Sequence, residues 1–155
     1  MKPLSQLVPD VREALQQGLE ESVQEVATEL RRRGPYWDGT FADNWIVQPG
    51  SRAIRPIIPT MPNVAANPRP RPATWQELDL PPSPNLGGYT LGNRTTYRIY
   101  AMDLAPSGVW GNIYRYETKR QTVRPAQRFW YTTYINNVMP KTIDAAFRDV
   151  FRRFK

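Results

Sequence analysis

The sequence predicts an α+β domain in which a long N-terminal helix and a C-terminal helix pack on a small, mainly antiparallel β-sheet, with a long Pro-rich loop or arm. Three observations predict it. Apolar residues recur at spacings of three and four near both ends of the chain, and runs bounded by Gly and Asn lie between them. Ten of the 16 prolines fall within residues 49–84, which bars a helix interior or a central strand there. At 155 residues the chain has room for one core, so residues 1–155 read as a single domain with 49–84 inserted as an extended arm.

The first helix is expected to open at Val8-Pro9-Asp10, because Pro at the first helical position loses no needed hydrogen bond and presets φ. Val11, Leu15, Leu19, Val23, Val26 and Leu30 form its apolar stripe, and Glu13, Glu20, Glu21, Glu25 and Glu29 take the other faces. Gly18 and Ser22 lie beside the stripe, where small side chains allow a close neighbour, although chance places them there as readily. Arg31-Arg32-Arg33 complement the dipole of the last turn, and Gly34-Pro35 stops the helix after about 25 residues, or ~37 Å.

Asp38-Gly39 then reverses the chain, Phe41 can pack back on the helix, and Trp45-Ile46-Val47 reads as a strand. Within the Pro-rich arm, Ile54 to Ile58 can pair only as an edge strand, and Asn67 to Pro72 suits polyproline II. Residues 87–91 and 95–102 read as two strands about a Gly92-Asn93-Arg94 turn, with Tyr97, Ile99 and Ala101 sharing one face. Gly108 to Glu117 fits a strand or a short helix. Thr122 to Pro125 can open a helix in which Trp130, Tyr134 and Val138 lie four apart, while Phe129 to Ile135 also passes for a strand; helix is the preferred reading. Pro140 interrupts it. A last helix then buries Ile143, Phe147, Val150, Phe151 and Phe154 and turns Arg148, Arg152 and Arg153 outward.

Composition removes several functional classes. The chain has no Cys, hence no disulfide or thiolate metal site, and no His, the usual general base near neutral pH. No Walker A loop, dinucleotide fingerprint or nucleophile elbow occurs. No window holds the ~20 apolar residues that span a bilayer, and no secretory leader is expected. Asp103 with Glu117-Thr118-Lys119 has the spacing of a Mg²⁺-dependent nuclease core, although a carboxylate beside Lys is more often a surface ion pair. The net charge is −3 over residues 1–45, +3 over 46–114 and +7 over 115–155. A basic end containing Trp130, Tyr131 and Tyr134 admits nucleic-acid binding by stacking and phosphate contacts, but aromatics at helical spacing are usually core. Opposite charge at the two ends also suits contacts between copies.

Residues 26–47, VATELRRRGPYWDGTFADNWIV, resemble the segment shared by tail-completion, or neck, proteins of tailed bacteriophages. In that family a long helix ends in basic residues, a Pro and an Asp-Thr-Gly turn follow, and an aromatic residue or Leu precedes an Asn-Trp or Ser-Trp strand. Gly39, Phe41, Asn44 and Trp45 match; Trp37-Asp38 replaces Asp-Thr and moves the acidic residue by one. Asn112 to Glu117 and Arg124-Pro125-Ala126 resemble later parts of the family, and 49–84 looks like an insertion. The resemblance implies a structural virion protein and not an enzyme, with no cofactor, metal or catalytic residue. It implies a ring, commonly of six, at the head–tail junction, assembled in the host cytoplasm. Its partners would be itself, neighbouring connector or adaptor proteins and the tail tube, with non-specific DNA contact in the lumen and no membrane. Phe41, Trp45, Leu15, Leu19 and Val23 are the expected core corner. Arg69, Arg71, Trp75, Arg148, Arg152 and Arg153 are the candidate assembly contacts.

Overall fold

The computed structural model describes residues 4–36, 39–56, 71–83, 86–96, 98, 102 and 129–154. In chain order these form α1 (Leu4–Arg33), the single turn α2 (Thr40–Asp43), β1 (Trp45–Pro49), β2 (Tyr89–Asn93), α3 (Trp130–Asn137) and α4 (Met139–Arg153). The architecture is α+β, with one long N-terminal helix, paired C-terminal helices and a small antiparallel sheet.

Helix α1 is 30 residues, about 45 Å, and begins earlier than Pro9 predicts. Pro9 sits inside it, where it forgoes one bond to the carbonyl four residues back. Leu7, Val8 and Pro9 are exposed, so water is at hand for the freed group. The buried edge of α1 also differs from the expected stripe. Ala14, Gly18, Ser22, Val26 and Leu30 are buried in a row four apart, whereas Leu15, Leu19 and Val23 are half-buried and Val11 is exposed. The reason is α4, which lies along α1. Its Phe147 ring sits so close over Gly18 that an added Cβ would come within 2.4 Å of Phe147 Cδ1. Close helix approach thus favours the small residues over the larger Leu stripe. Ser22 satisfies its buried hydroxyl by donating to the Leu19 carbonyl at 2.9 Å.

Pro140 does break the C-terminal helix: α3 ends at Asn137, and Pro140 occupies the first turn of α4. Of α4's expected core set, Val150 is fully buried, Ile143 and Phe147 are half-buried, and Phe151 is 40 % exposed.

The expected hairpin about Gly92-Asn93 is replaced by a different pairing. β2 runs antiparallel to β1, with Trp45 opposite Asn93, Val47 opposite Leu91 and Pro49 opposite Tyr89. Gly92 is a strand residue beneath Ile54, whose Cδ1 would lie 2.6 Å from a Cβ at that position. Asn93 explains why the chain leaves the sheet without a hairpin. Its amide donates to the Phe41 carbonyl at 2.7 Å, and its Oδ1 accepts from Thr95 N and Thr95 Oγ1 at 2.9 and 2.7 Å. That is a capping arrangement. Backbone bonds Arg98 N to Thr95 O and Met102 N to Arg98 O then follow helical spacing and not a strand ladder. Residues 54–56 carry no strand either. Tyr97, Ile99, Ala101 and the segments 57–58, 67–70, 108–117 and 122–128 lie outside the described residues.

The core gathers Val26 and Leu30 from α1, Phe41, Trp45, Met102, and Trp130 and Tyr134 from α3. Among the described residues three buried polar atoms lack a hydrogen-bond partner: Trp45 Nε1, Arg98 Nη1 and the Tyr134 hydroxyl.

Candidate assembly surface

Two segments are built onto the C-terminal half of α1. The first is the corner of residues 34–49. Gly39, at φ 91°, supplies a left-handed turn that returns the chain to the helix. Gly34 has no positive φ, so its role is space: a Cβ there would lie 2.8 Å from Phe41 Cε1 and 3.0 Å from the Leu30 carbonyl. Phe41 makes edge-to-face contacts with Trp45 (5.8 Å, 81°) and Trp130 (6.3 Å, 89°), and these three rings join α2, β1 and α3.

The second is the strap of residues 71–83, which contains neither helix nor strand. An extended Pro-rich segment cannot satisfy its own backbone, and side chains of α1 do so instead. Gln24 brackets Leu78, donating to its carbonyl at 2.6 Å and accepting from its N–H at 3.0 Å. Arg31 is buried and donates to Ala42 O at 3.1 Å and Gln76 O at 2.6 Å, with its guanidinium 4.7 Å from the Trp75 ring centre. One side chain thereby links helix, corner and strap. Burial lowers the Arg31 pKa from its ordinary value, and Asp43 opposes that shift. Arg71 donates to Gly34 O at 3.0 Å and to Arg32 O, capping the last carbonyls of α1, and lies 5.2 Å from the Tyr36 ring centre.

Arg32 and Arg33 point the other way and pair with Glu29 at 2.7 and 2.8 Å. Burial works to raise the Glu29 carboxyl, but hydrogen bonds from both arginines outweigh it and hold the group below the usual carboxylate range.

Phe41 and Trp45 are both buried in the corner, while Leu15, Leu19 and Val23 lie half-buried on the flank of α1. Arg71 and Trp75 are turned onto α1, engaged within the chain. Arg148, Arg152 and Arg153 are exposed, pairing with Asp144 (2.8 Å), Asp149 (3.2 Å) and, across to α1, Glu21 (2.5 Å). Arg69, Asp103, Glu117 and Lys119 lie outside the described residues. Trp130 and Tyr134 are core residues, unavailable for stacking on bases. Among the described residues, no group of three or more acidic, His or Cys side chains could hold a metal, and no helix is long and apolar enough to cross a membrane.

Gln24, Arg31 and Asn93 carry the tertiary bonds of this region, and sequence reasoning assigned none of them that role. For Asn93 a local signal exists, since Asn two residues before Thr95 is a capping pattern. For Gln24 and Arg31 the partners in the strap lie 54 and 45 positions away, and no local signal marks them.

No curated protein and no solved structure matches the chain. Residues 1–64 match the family model HK97-gp10_like, described as "Bacteriophage HK97-gp10, putative tail-component". The matched segment contains all of α1, the Gly39 turn, α2 and β1. Over residues 1–64, which hold the helix-to-strand corner, the chain is therefore similar to the HK97-gp10-like phage tail components, consistent with the tail-completion, or neck, type of protein.

Proposed function

We propose that the protein is a structural, non-enzymatic subunit of the phage neck, assembling in the host cytoplasm as a ring of six that completes the tail tube or joins it to the head connector. One observation carries the reading: the family match spans the segment in which helix, turn and strand lock together through Gly34, Phe41 and Trp45. A rigid corner of this kind suits a subunit whose work is to hold its faces at a fixed angle to its neighbours. The exposed Arg148, Arg152 and Arg153 are the candidate contacts that remain on the outside of the described structure.

Native mass spectrometry and negative-stain microscopy of the purified chain test the reading. A closed ring is expected, and a strict monomer at every concentration overturns it. A DNA-binding role has less support, because two of its three stacking candidates are buried. Under that alternative, affinity for single-stranded DNA would persist at physiological salt; under the assembly reading it fades. The nuclease alternative predicts Mg²⁺-dependent cleavage of DNA that Lys119→Ala abolishes.

A further inference from the structure

Acidic residues are absent from the two stretches that build the sheet. The chain has 14 Asp and Glu, yet residues 44–76 and 80–102 hold none, while they carry six Arg and no Lys. These stretches supply β1, β2 and the segment that follows β1. The fold brings their cations together. Arg94 N donates to Asn44 O at 2.9 Å at one end of the β1–β2 pair, and Gly50 N donates to Gly88 O at 2.9 Å at the other. Beyond Gly50 the chain turns back over the sheet, where Ile54 packs on Gly92. Arg52 and Arg55 flank Ile54 in sequence, and Arg94 follows Gly92 by two residues, so one small region carries all three guanidinium groups.

These cations are not neutralised from within. Arg52 and Arg55 are exposed, Arg94 and Arg98 are half-buried, and among the described residues no carboxylate pairs with any of the four. Arg98, one turn beyond β2, even encloses a guanidinium nitrogen, Nη1, that meets no acceptor. Arginines elsewhere behave differently: Arg32 and Arg33 pair with Glu29, and Arg148, Arg152 and Arg153 pair with Asp144, Asp149 and Glu21. Those pairs also occupy carboxylates with which a second copy could answer the sheet. Unpaired arginines without Lys or acid among them suit an oxyanion that takes two parallel N–H bonds, and a phosphodiester backbone presents such groups in series. Of the rings in this region, Trp45 is buried and Tyr89 is turned to Gln16 and Glu20. The patch therefore offers no platform for stacking unpaired bases and matches the outside of a duplex.

We propose that the β1–β2 region carrying Arg52, Arg55 and Arg94 binds the phosphate backbone of double-stranded DNA without reading its sequence. The contact is electrostatic, so it weakens steeply with salt, and it is separate from base stacking by the C-terminal aromatics. It stands whether or not the subunits close into a ring.

Fluorescence anisotropy of the full chain with a labelled duplex of about 30 base pairs, titrated with salt upward from about 50 mM, tests this. Wild type is expected to bind at the low end, with affinity falling linearly on logarithmic axes. The double variant Arg52→Gln/Arg55→Gln alters exposed residues only, so circular dichroism stays near wild type. It is expected to bind at least about tenfold more weakly at about 50 mM, with a salt slope smaller by ~0.9 for each arginine removed. Arg32→Gln/Lys141→Gln removes the same charge from exposed positions outside the sheet and is expected to stay within about twofold of wild type. An equal loss in that control reduces the effect to net charge and overturns the site. Tighter binding to a single strand of the same length overturns it too, as does tighter binding to phosphatidylserine vesicles that Arg52→Gln/Arg55→Gln weakens. A wild-type chain that leaves the duplex free at about 50 mM has the same consequence. None of these outcomes touches the ring reading, which native mass spectrometry decides separately.

Discussion

The corner around Phe41 and Trp45 and the strap of residues 71–83 both bind the C-terminal half of α1, and they do so by opposite means. The corner buries large rings against Val26 and Leu30 and is held by area and shape. The strap is mostly exposed and is held by backbone bonds from Gln24, Arg31 and Arg71, together with cations set over Trp75 and Tyr36. Apolar burial is cooperative with the whole fold. A set of polar bonds to an extended segment can open while the core stays intact. Damage to the corner should therefore unfold the protein, and damage to the strap should loosen one segment.

The largest effect is expected at Trp45. Trp45→Ala removes a ring that is only 2 % exposed and should cost about 3–5 kcal/mol, read from urea denaturation. A loss below about 1 kcal/mol would mean that the ring is not a core member.

Alkaline pH should strain the same core through Tyr134. Its hydroxyl is fully buried and its pKa is pushed up from 10.0 to about 12, first by burial; contact with Thr142 works the other way without forming a well-aligned hydrogen bond. The folded state keeps this proton when the unfolded chain has lost it. The contribution is thus complete below about pH 10 and is lost as pH rises towards 12, an effect on the order of a few kcal/mol. Tyr134→Phe should flatten that part of the pH profile, and at neutral pH it should stabilise slightly by removing an unpaired hydroxyl. Profiles that coincide for the two proteins would refute the assignment.

Gly34 tests the corner by overpacking. Gly34→Ala places a methyl against Phe41 and the Leu30 carbonyl, and a loss of about 1–3 kcal/mol in thermal denaturation is expected. A stabilised variant would show that the helix-propensity gain of Ala outweighs the clash.

The strap should give the smallest global change and the most local one. Gln24→Leu leaves the Leu78 N–H and carbonyl without their partner and should cost about 0.5–1.5 kcal/mol. Hydrogen exchange and proteolysis should rise within 71–83 well before the core amides respond. Uniform acceleration across α1, β1 and α3 would erase the distinction between the two regions.

The two regions were also unequally legible. The corner is local in sequence: a helix stop, a Gly turn, Phe41 and Trp45 follow one another within a dozen positions, and each constrains the next by backbone geometry alone. The strap lies in a stretch whose prolines show that it is extended, but not where it lies. Its attachments depend on Gln24 and Arg31, residue types that are ordinary on a solvated helix. Arg31 stands in a run of three arginines, two of which do behave as exposed partners of a helix Glu, and nothing local distinguishes the one that turns inward. Gly92 and Asn93 show how local signals can mislead. They are good turn residues, yet β2 pairs with β1, forty residues away, because that pairing places Leu91 opposite Val47.

By itself the sequence determined the two amphipathic helix ends, the break at Pro140 and the turn at Gly39, since periodicity, proline geometry and glycine φ act within a few residues. The tertiary structure alone decided which edge of α1 is buried, which strand pairs with which, and where the Pro-rich strap is tied. Those outcomes depend on how closely distant surfaces approach: Phe147 fits over Gly18, Ile54 over Gly92 and Phe41 under Gly34, and the absence of a side chain at each glycine gains meaning only once its neighbour is in place.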